Sequence, residues 1–566
     1  MTTMWLLLGC PPQPNDAVPT ETERIESRAP DDTALPLVEP EDAGDAPEVL
    51  TVSHTSALLT QPITLTAESP IEGVELRYSL DGREPAELWP GSLEVTGTTV
   101  LRLAAHVGQQ ELTEVSRTFI FPATLGGQTA PPDYPTEWWV EDDEGPFPAD
   151  YGMDPTVLED FGAYFPDAFS AIPTLSVILP PEDLFSTETG IHENARESGV
   201  YWERAAFVEL LNADEADFNV PCALRIHGRS SRRPERSTKK GFRVLFKSDY
   251  GPGKLNTPLF PGNDVEVYDG FVLRGRYNRS WAHYQSAQRE RSMYVRERFA
   301  MELLDAMGHP TSATRHVHLY LNGLYWGLYL MEERPDAHYH ANRTDTEVED
   351  WDVLNSGTAQ DGDLQNWNEL LEIARAGLED DDAWQAFAAE IDLTNFVDLM
   401  LLQLYTGNID FPESNWYAAR PRDKSRGWQF YLWDAELIFV NTGDDLIDTM
   451  NDEGSPGELF QAARANATFR EVFNERAHLH LDEGGELHPD QIIPRWSAIA
   501  EEVKPYVSAE SARWGDHWRD DRGDPDGQRY SLDHWEEENE RITTFYLVKR
   551  HGKFIQHLID AELYLE

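Results

Sequence analysis

Period-two alternation of apolar and polar positions begins near Val49. From there to about Pro122, short β-type runs (Ile63–Thr66, Val74–Leu80, Thr99–Ala105, Arg117–Phe121) alternate with turn signals and predict a small β-sandwich over 49–122. Residues 123–170 hold no sustained period. They carry Gly126-Gly127, Pro131-Pro132, Trp138-Trp139 and an acidic run, and are expected to form a linker whose aromatics pack on a neighbour. From 171 to 566 the pattern fits one large α+β unit, strand-rich first and mostly helical later. Within it, Lys240, Phe242, Val244 and Phe246 share one face of a predicted strand, and Lys239, Gly241, Arg243, Leu245 and Lys247 share the other. Leu393–Thr406 is apolar nearly all round, the mark of a buried helix, and stops at Gly407-Asn408. Two strands follow, Trp416–Ala419 and Trp428–Trp433, joined by the polar turn Arg420–Gly427.

Composition narrows the function classes. The 566 residues are 40% hydrophobic and 11% aromatic, enough for two to four domains with cores. No run reaches the ~18 apolar residues of a membrane-spanning helix. The net charge of −56 disfavours nucleic acid and anionic lipid surfaces as partners. Two cysteines, Cys10 and Cys222, exclude a disulfide framework. Leu7-Leu8-Gly9-Cys10 resembles a lipoprotein lipobox, although no Lys or Arg precedes it and its apolar stretch is short. The expectation is an extracytoplasmic protein, lipid-anchored through Cys10 or secreted, with acidic, Pro-rich residues 11–48 as a tether.

Candidate chemistry lies around the buried helix. After it come Asp410 and, five residues on, Asn415; the second strand ends in Trp433-Asp434-Ala435-Glu436. Buried helix, Asp-x4-Asn loop, hairpin and strand-end Asp follow one another as the catalytic parts of protein kinases do. There the first Asp accepts the acceptor-hydroxyl proton, and the Asn and last Asp hold Mg²⁺ against the phosphates of ATP. Hard oxygen ligands suit Mg²⁺, or Mn²⁺ in its place. A triphosphate needs cations, and of 46 basic residues nine fall between Arg225 and Lys247. Lys240, emerging from the apolar face, is preferred over Lys239 as the phosphate contact, with Glu332 or Glu333 orienting it. No Gly-x-Gly-x-x-Gly loop is present, so His227–Arg232, including Arg229 and Ser231, is the candidate phosphate cover. A solvated, charged strand pair is the plainer reading of this stretch. His316, His318, His478, His480 and His488 read as packed or surface histidines. The row Arg289, Arg291, Arg296, Arg298 reads as a helix with i,i+4 ion pairs to Glu290 and Glu297, with Arg291 as an alternative nucleotide contact.

These segments together resemble the CotH (spore-coat protein H) family of atypical kinases. Asn408-Ile-Asp410…Asn415 and Trp433-Asp-Ala-Glu436 are similar to its N-x-D-x4-N and W-D-x-D motifs, with Glu436 where a second Asp is common. Gly190–Asn194, Trp202-Glu-Arg204, Arg225–Arg232, Lys239–Lys247 and Asn322–Glu333 resemble further family segments over roughly 170–440, and Arg513-Trp514-Gly515 a helical C-terminal region. The resemblance implies a kinase-like fold, Asp410 as base, metal held by Asp434 with Asn415 and Glu436, ATP as donor and a protein Ser/Thr as acceptor. Tyr78–Pro85 resembles a signature of the β-sandwich module that ends chitobiases and hexosaminidases. This implies an accessory spacer or a cell-surface glycan contact. A non-catalytic surface-binding protein on the same fold is the runner-up.

Overall fold

The computed structural model describes residues 49–138, 146–213, 217–518 and 528–565. Cys10, the 11–48 stretch, Trp139 and the acidic run 141–144 lie outside the described residues.

The protein is α+β. At its start, two sheets share one core of Leu65, Val95, Leu101, Leu103 and Phe119. One sheet pairs Thr51–Val52, Ile63–Glu68 and Ser92–Val95. The other pairs Ala57–Leu58, Gln110–Ile120, Thr99–Val107, Glu75–Ser79 and Glu87–Leu88. The expected strands are present. The spacer expectation does not fit the contacts, because Val49–Glu566 forms one compact unit. The buried Glu209 carboxylate of the following domain accepts from Ser56 Oγ (2.9 Å), Ser116 Oγ (2.6 Å) and Asn219 Nδ2 (2.6 Å). The turn Asp81-Gly82 explains its own glycine. Gly82 has φ +85°, and a Cβ there would stand 2.5 Å from Leu179 O and 2.6 Å from Asn322 Oδ1.

The aromatics of the 123–170 segment pack on a neighbour, as expected. Tyr134, Trp138, Phe147 and Tyr151 join the barrel core described next. Asp154 caps the helix Pro155–Phe161 through Thr156 N (2.7 Å) and pairs with Arg529.

The central element is a closed seven-stranded barrel. Its strands are β1 (Thr174–Ile178), β2 (Arg204–Leu211), β3 (Phe218–His227), β4 (Gly241–Leu245), β5 (Gly270–Arg274), β6 (Thr314–Leu321) and β7 (Leu324–Glu332). The order is β1-β2-β3-β4-β5-β7-β6, closed by parallel pairing of β1 with β6. Phe242, Val244 and Phe246 fill the barrel with Leu273, Tyr329 and Met331, as their alternation predicts. Helix α1 (Arg296–Ala306) crosses between β5 and β6.

A four-stranded sheet follows, made of β8 (Trp351–Asn355), β9 (Thr358–Asp361), β10 (Trp416–Pro421) and β11 (Gln429–Leu432), in the order β9-β8-β10-β11. Helix α2 (Leu393–Thr406) packs against it. Asp392 caps the helix through Asn395 N (3.1 Å), and Gly407 ends it at φ +64°. Asn395 binds Phe430 N (2.7 Å) and O (3.1 Å) like a peptide unit, fastening helix to hairpin.

Helix α3 (Pro489–Trp514) packs against β7. Glu510 accepts from Lys239 Nζ (2.6 Å) and Leu328 N (2.7 Å), and Trp514 Nε1 donates to Trp326 O (2.7 Å). Gly327 (φ +123°) makes room, since a Cβ there would lie 2.6 Å from Glu510 Oε2.

Because Glu209 and the packed 123–170 segment bind the two ends together, a fragment of 49–566 should unfold in one calorimetric transition. A fragment of 171–566 should lose that transition or aggregate. Equal melting of the two would show the first sheets to be a detachable spacer.

Candidate functional site

The site is assembled where the end of β5, the start of α1, the end of β7 and the loop after β11 meet. Arg274, the last residue of β5, sets its Nε 3.1 Å from Glu297 Oε1 and its Nη1 3.3 Å from Asp434 Oδ2, and it pairs with Glu332 of β7. Its guanidinium carbon lies 4.3 Å over the Trp433 ring. Arg276 Nη1 stands 2.6 Å from Glu297 Oε2 and 3.9 Å from Glu436 Oε1, whose other oxygen accepts from Asn278 N (2.8 Å). Glu297 Oε1 also accepts from Asp434 N (2.9 Å).

Asp410 approaches from the loop after α2, and Asn408 aims it. The fully buried Asn408 donates to Gln403 Oε1 (3.0 Å) and accepts from Asp410 N (3.3 Å), so the Asn-x-Asp spacing ties the loop back to its helix. Asn415 N donates to Ser356 Oγ (3.1 Å) and its Nδ2 to Asp434 O (3.3 Å). Several non-glycine residues here hold left-handed backbone: Arg276 (φ +59°), Arg279 (+54°), Asn415 (+68°) and Asp434 (+56°). Side chains grip three of their N–H groups: Glu297 for Asp434, Ser356 for Asn415 and, at 3.2 Å, Gln288 for Arg279. Such outliers persist only where the surroundings over-determine them, and they cluster at functional sites.

The electrostatics are unbalanced. Two guanidinium groups, Arg274 and Arg276, face four carboxylates, Glu297, Glu332, Asp434 and Glu436. Burial raises Glu332 and Glu436 to about 8. The neighbouring charges of Glu297 and Asp434 respectively add to the rise, while the arginines oppose it. Burial, then the charges of Asp434 and Glu413, raise Asp410 to about 6 against the pull of Arg279. Asp434 Oδ1, Glu332 Oε1 and Arg274 Nη2 are buried without a hydrogen-bond partner among the described residues.

This donor set fits a divalent cation. Asp434 with its unpartnered oxygen and Asn415 beside it could hold Mg²⁺ or Mn²⁺. Glu436 stands behind them with one oxygen committed to Asn278 N. No three His, Cys, Asp or Glu side chains among the described residues form a complete metal cage. A cation that arrives with phosphate oxygens needs only one or two protein carboxylates.

The structure brings together Asp410, Asn415, Asp434, Glu436 and Glu332, and it separates the other expected residues. Lys239 and Lys240 precede β4, which starts at Gly241, and neither ammonium joins the carboxylates. Lys239 is fully buried against Glu510 and Leu328 O (2.8 Å). Lys240 donates to Ser231 O (3.1 Å), Arg232 O (3.1 Å) and Ser237 O (2.6 Å), which uses all three of its N–H bonds. Glu332 therefore pairs with Arg274 and not with Lys240, and Glu333 turns away to Arg343 (2.5 Å).

The dense basic stretch is likewise divided. Arg225 (3.5 Å) and Lys247 (2.8 Å) go to Glu203, and Arg243 goes to Asp336 (3.6 Å). Arg229 and Ser231 lie on the loop after His227, whose ring is 6.3 Å from Trp433, so this loop borders the site. Ser231 Oγ closes over Gly228, where a Cβ would stand 2.1 Å from it. The predicted helix through Arg289–Arg298 is broken between 290 and 295. Its arginines reach across the fold, Arg291 (3.1 Å) and Arg296 (2.5 Å) to Glu538 and Arg298 (2.6 Å) to Glu502. His316 and His318 are buried donors to Tyr294 O (3.0 Å) and Ala168 O (3.0 Å).

Sequence reasoning missed Arg274, Arg276 and Glu297. Glu297 carried a signal: positions 293, 294, 300 and 301 hold Met, Tyr, Ala and Met, so the i,i+4 ion pair expected of Glu297 has no cation at that spacing to form it.

Barrel, helix and hairpin here define an α+β protein with a strained, under-neutralised carboxylate site. The family model of the CotH kinase protein matches residues 224–551, more than half of the chain, and the chain belongs to that family. No curated protein matches it. No helix among the described residues is long and apolar enough to cross a membrane.

Raised carboxyls give this site a pH signature. Glu332 and Glu436 carry protons in the folded protein that the unfolded chain has released above about pH 4.3, so their contribution to stability falls as pH rises toward 8. Melting temperature should therefore drop between roughly pH 5 and 8, and Glu436→Gln should flatten the drop. An unchanged slope in Glu436→Gln would place the responsible groups elsewhere.

Proposed function

We propose that this chain is an atypical kinase that transfers the γ-phosphate of ATP to a hydroxyl, with Ser or Thr of a protein as acceptor. We also propose that it works outside the cytoplasm, secreted or anchored through Cys10. Family membership supports the reaction class. The observation that carries the reading is a carboxylate raised into the range of a general base, Asp410, beside a cluster with four carboxylates for two arginines.

Each residue then has a task. Asp410, near 6, is ionised at neutral pH yet basic enough to take the hydroxyl proton. Asn408 holds it in place. Asn415 and Asp434 would hold the metal that accompanies ATP, and that ion neutralises charge developing on the transferred phosphoryl group. Arg274 at Asp434 and the His227–Arg232 loop beside Trp433 would offer cations and donors to the phosphates. Glu297 and Glu332 orient Arg274, and Glu436 holds the 276–278 backbone. The buried helix, Asp-x4-Asn loop, hairpin and strand-end Asp support a protein-kinase-like catalytic fold.

Full-length protein incubated with γ-labelled ATP and Mg²⁺ or Mn²⁺ should label itself or a Ser/Thr peptide. Asp410→Asn and Asp434→Asn should each lower transfer by at least about 100-fold while melting stays cooperative. Full transfer in folded Asp410→Asn would remove it as the base. A wild type that binds no nucleotide and transfers no label would favour the non-catalytic binding protein.

A further inference from the structure

A buried lysine holds the loop that borders the site. Pairing of His227 with Gly241 closes the hairpin of β3 and β4, and residues 228–240 form its loop. Lys240, at the foot of that loop, is 1% exposed and makes no ion pair among the described residues. Its Nζ donates back into the loop, to Ser231 O (3.1 Å), Arg232 O (3.1 Å) and Ser237 O (2.6 Å). An ammonium in that position is costly, because burial disfavours its charge and pulls it down to about 7. Three carbonyl oxygens in place of a carboxylate mean that the charge fixes main-chain shape.

The same residue touches the site through its own main chain. Lys240 O accepts from Tyr329 Oη (2.7 Å), and a Cβ at Gly275 would stand 2.8 Å from that oxygen. The bare glycine between Arg274 and Arg276 thus lets this foot of the loop lie against the segment that carries both site arginines. At the other foot, the His227 ring is 6.3 Å from Trp433, which lies under Arg274 (4.3 Å), and Arg274 reaches Asp434 (3.3 Å). Both feet therefore stand on the Asp434 side of the site. Tyr284 N braces the loop at Arg236 O (3.1 Å), and Arg232 Nη2 donates to Ile226 O (2.9 Å). Arg229 is exposed on the loop and forms no ion pair among the described residues, in a chain whose net charge is −56.

We infer that Lys240 is a positioning residue for the nucleotide: by drawing three loop carbonyls inward it keeps their negative ends away from the triphosphate and presents Arg229 to it. This role rests on the loop being the phosphate cover of the kinase reading. The residue type fits the task, since an ammonium on a flexible stem carries three donors for three converging acceptors. A loop free to sample many shapes loses that freedom when it closes on a ligand. A clasp made before the ligand arrives removes much of that loss.

The test uses full-length protein at about pH 6.5, where the Lys240 amine keeps its proton, with Mn²⁺ and the β,γ-imido analogue of ATP as probe. Lys240→Met keeps the apolar stem and removes the three donors. It should weaken calorimetric affinity for the analogue by at least about tenfold, while transfer at saturating ATP stays within about threefold of wild type. Trypsin should cut this variant faster after Arg229, Arg232 or Arg236 with cleavage elsewhere unchanged, a pattern that global unfolding does not give. If Lys240→Met does not fold, Lys240→Gln, with two donors left, should show the same pattern to a smaller degree. Coupling separates the clasp from a merely structural lysine: Arg229→Gln should lower affinity about tenfold in the wild type and less than about twofold once Lys240 is replaced. Unchanged affinity in Lys240→Met, or losses that simply add, overturn the inference, and wild-type binding and transfer then leave the kinase reading in place. A wild type that binds no analogue overturns both.

Discussion

Arg274 is the point at which separate parts of the fold are tied to one another. A single guanidinium at the end of β5 touches Glu297 of α1, Glu332 of β7 and Asp434 after β11, and lies over Trp433. Burying that many charges is costly, and a buried ion pair is rarely more stabilising than apolar packing of equal volume. What such a network supplies is position. Glu297 fixes the Asp434 N–H, Asp434 shares its carbonyl with Asn415, and Asn415 borders the loop that carries Asp410. The left-handed backbone at Asn415 and Asp434 is the local cost of that placement.

The same network sets the charge of the site in so acidic a chain. Generic electrostatics predicts a need for a broad positive funnel, which the Arg225–Lys247 stretch could supply. The folded chain spends those cations one by one on Glu203, Glu510, Asp336 and loop carbonyls. The carboxylate cluster keeps two guanidinium groups for four carboxyls, and burial first, then the neighbouring charges of Glu297 and Asp434, raises Glu332 and Glu436. A divalent ion, which we propose as the partner of this site, would supply charge of the opposite sign.

Much of this was legible in the sequence, and the failures have physical causes. The buried helix 393–406, its glycine stop and the following hairpin were readable because hydrophobic period and turn chemistry agree there. Asp410, Asn415 and Asp434 could be picked out because loop position and residue type fit one chemistry. Lys240 misled because a lysine on an apolar face implies a specific partner without saying which one, and Lys239, on the other face, gave no sign of its burial. The partners are Glu510, 271 residues away in the chain, and carbonyls of the adjoining loop. Arg274 and Arg276 gave no periodic signal, since a strand-end arginine resembles a solvated one until the barrel closes. The 123–170 stretch reads as a linker because it holds no sustained period, while its aromatics pointed to packing on a neighbour, and Tyr134, Trp138, Phe147 and Tyr151 do join the barrel core.

We propose that the buried carboxylates are held for a divalent cation and carry protons in its absence. Calorimetric titration of Mn²⁺–ADP into the full-length protein at neutral pH, in two buffers of different ionisation enthalpy, measures it directly. Binding should be accompanied by net proton release, reduced in Glu436→Gln. Binding without proton release, or release unchanged in that variant, would contradict it.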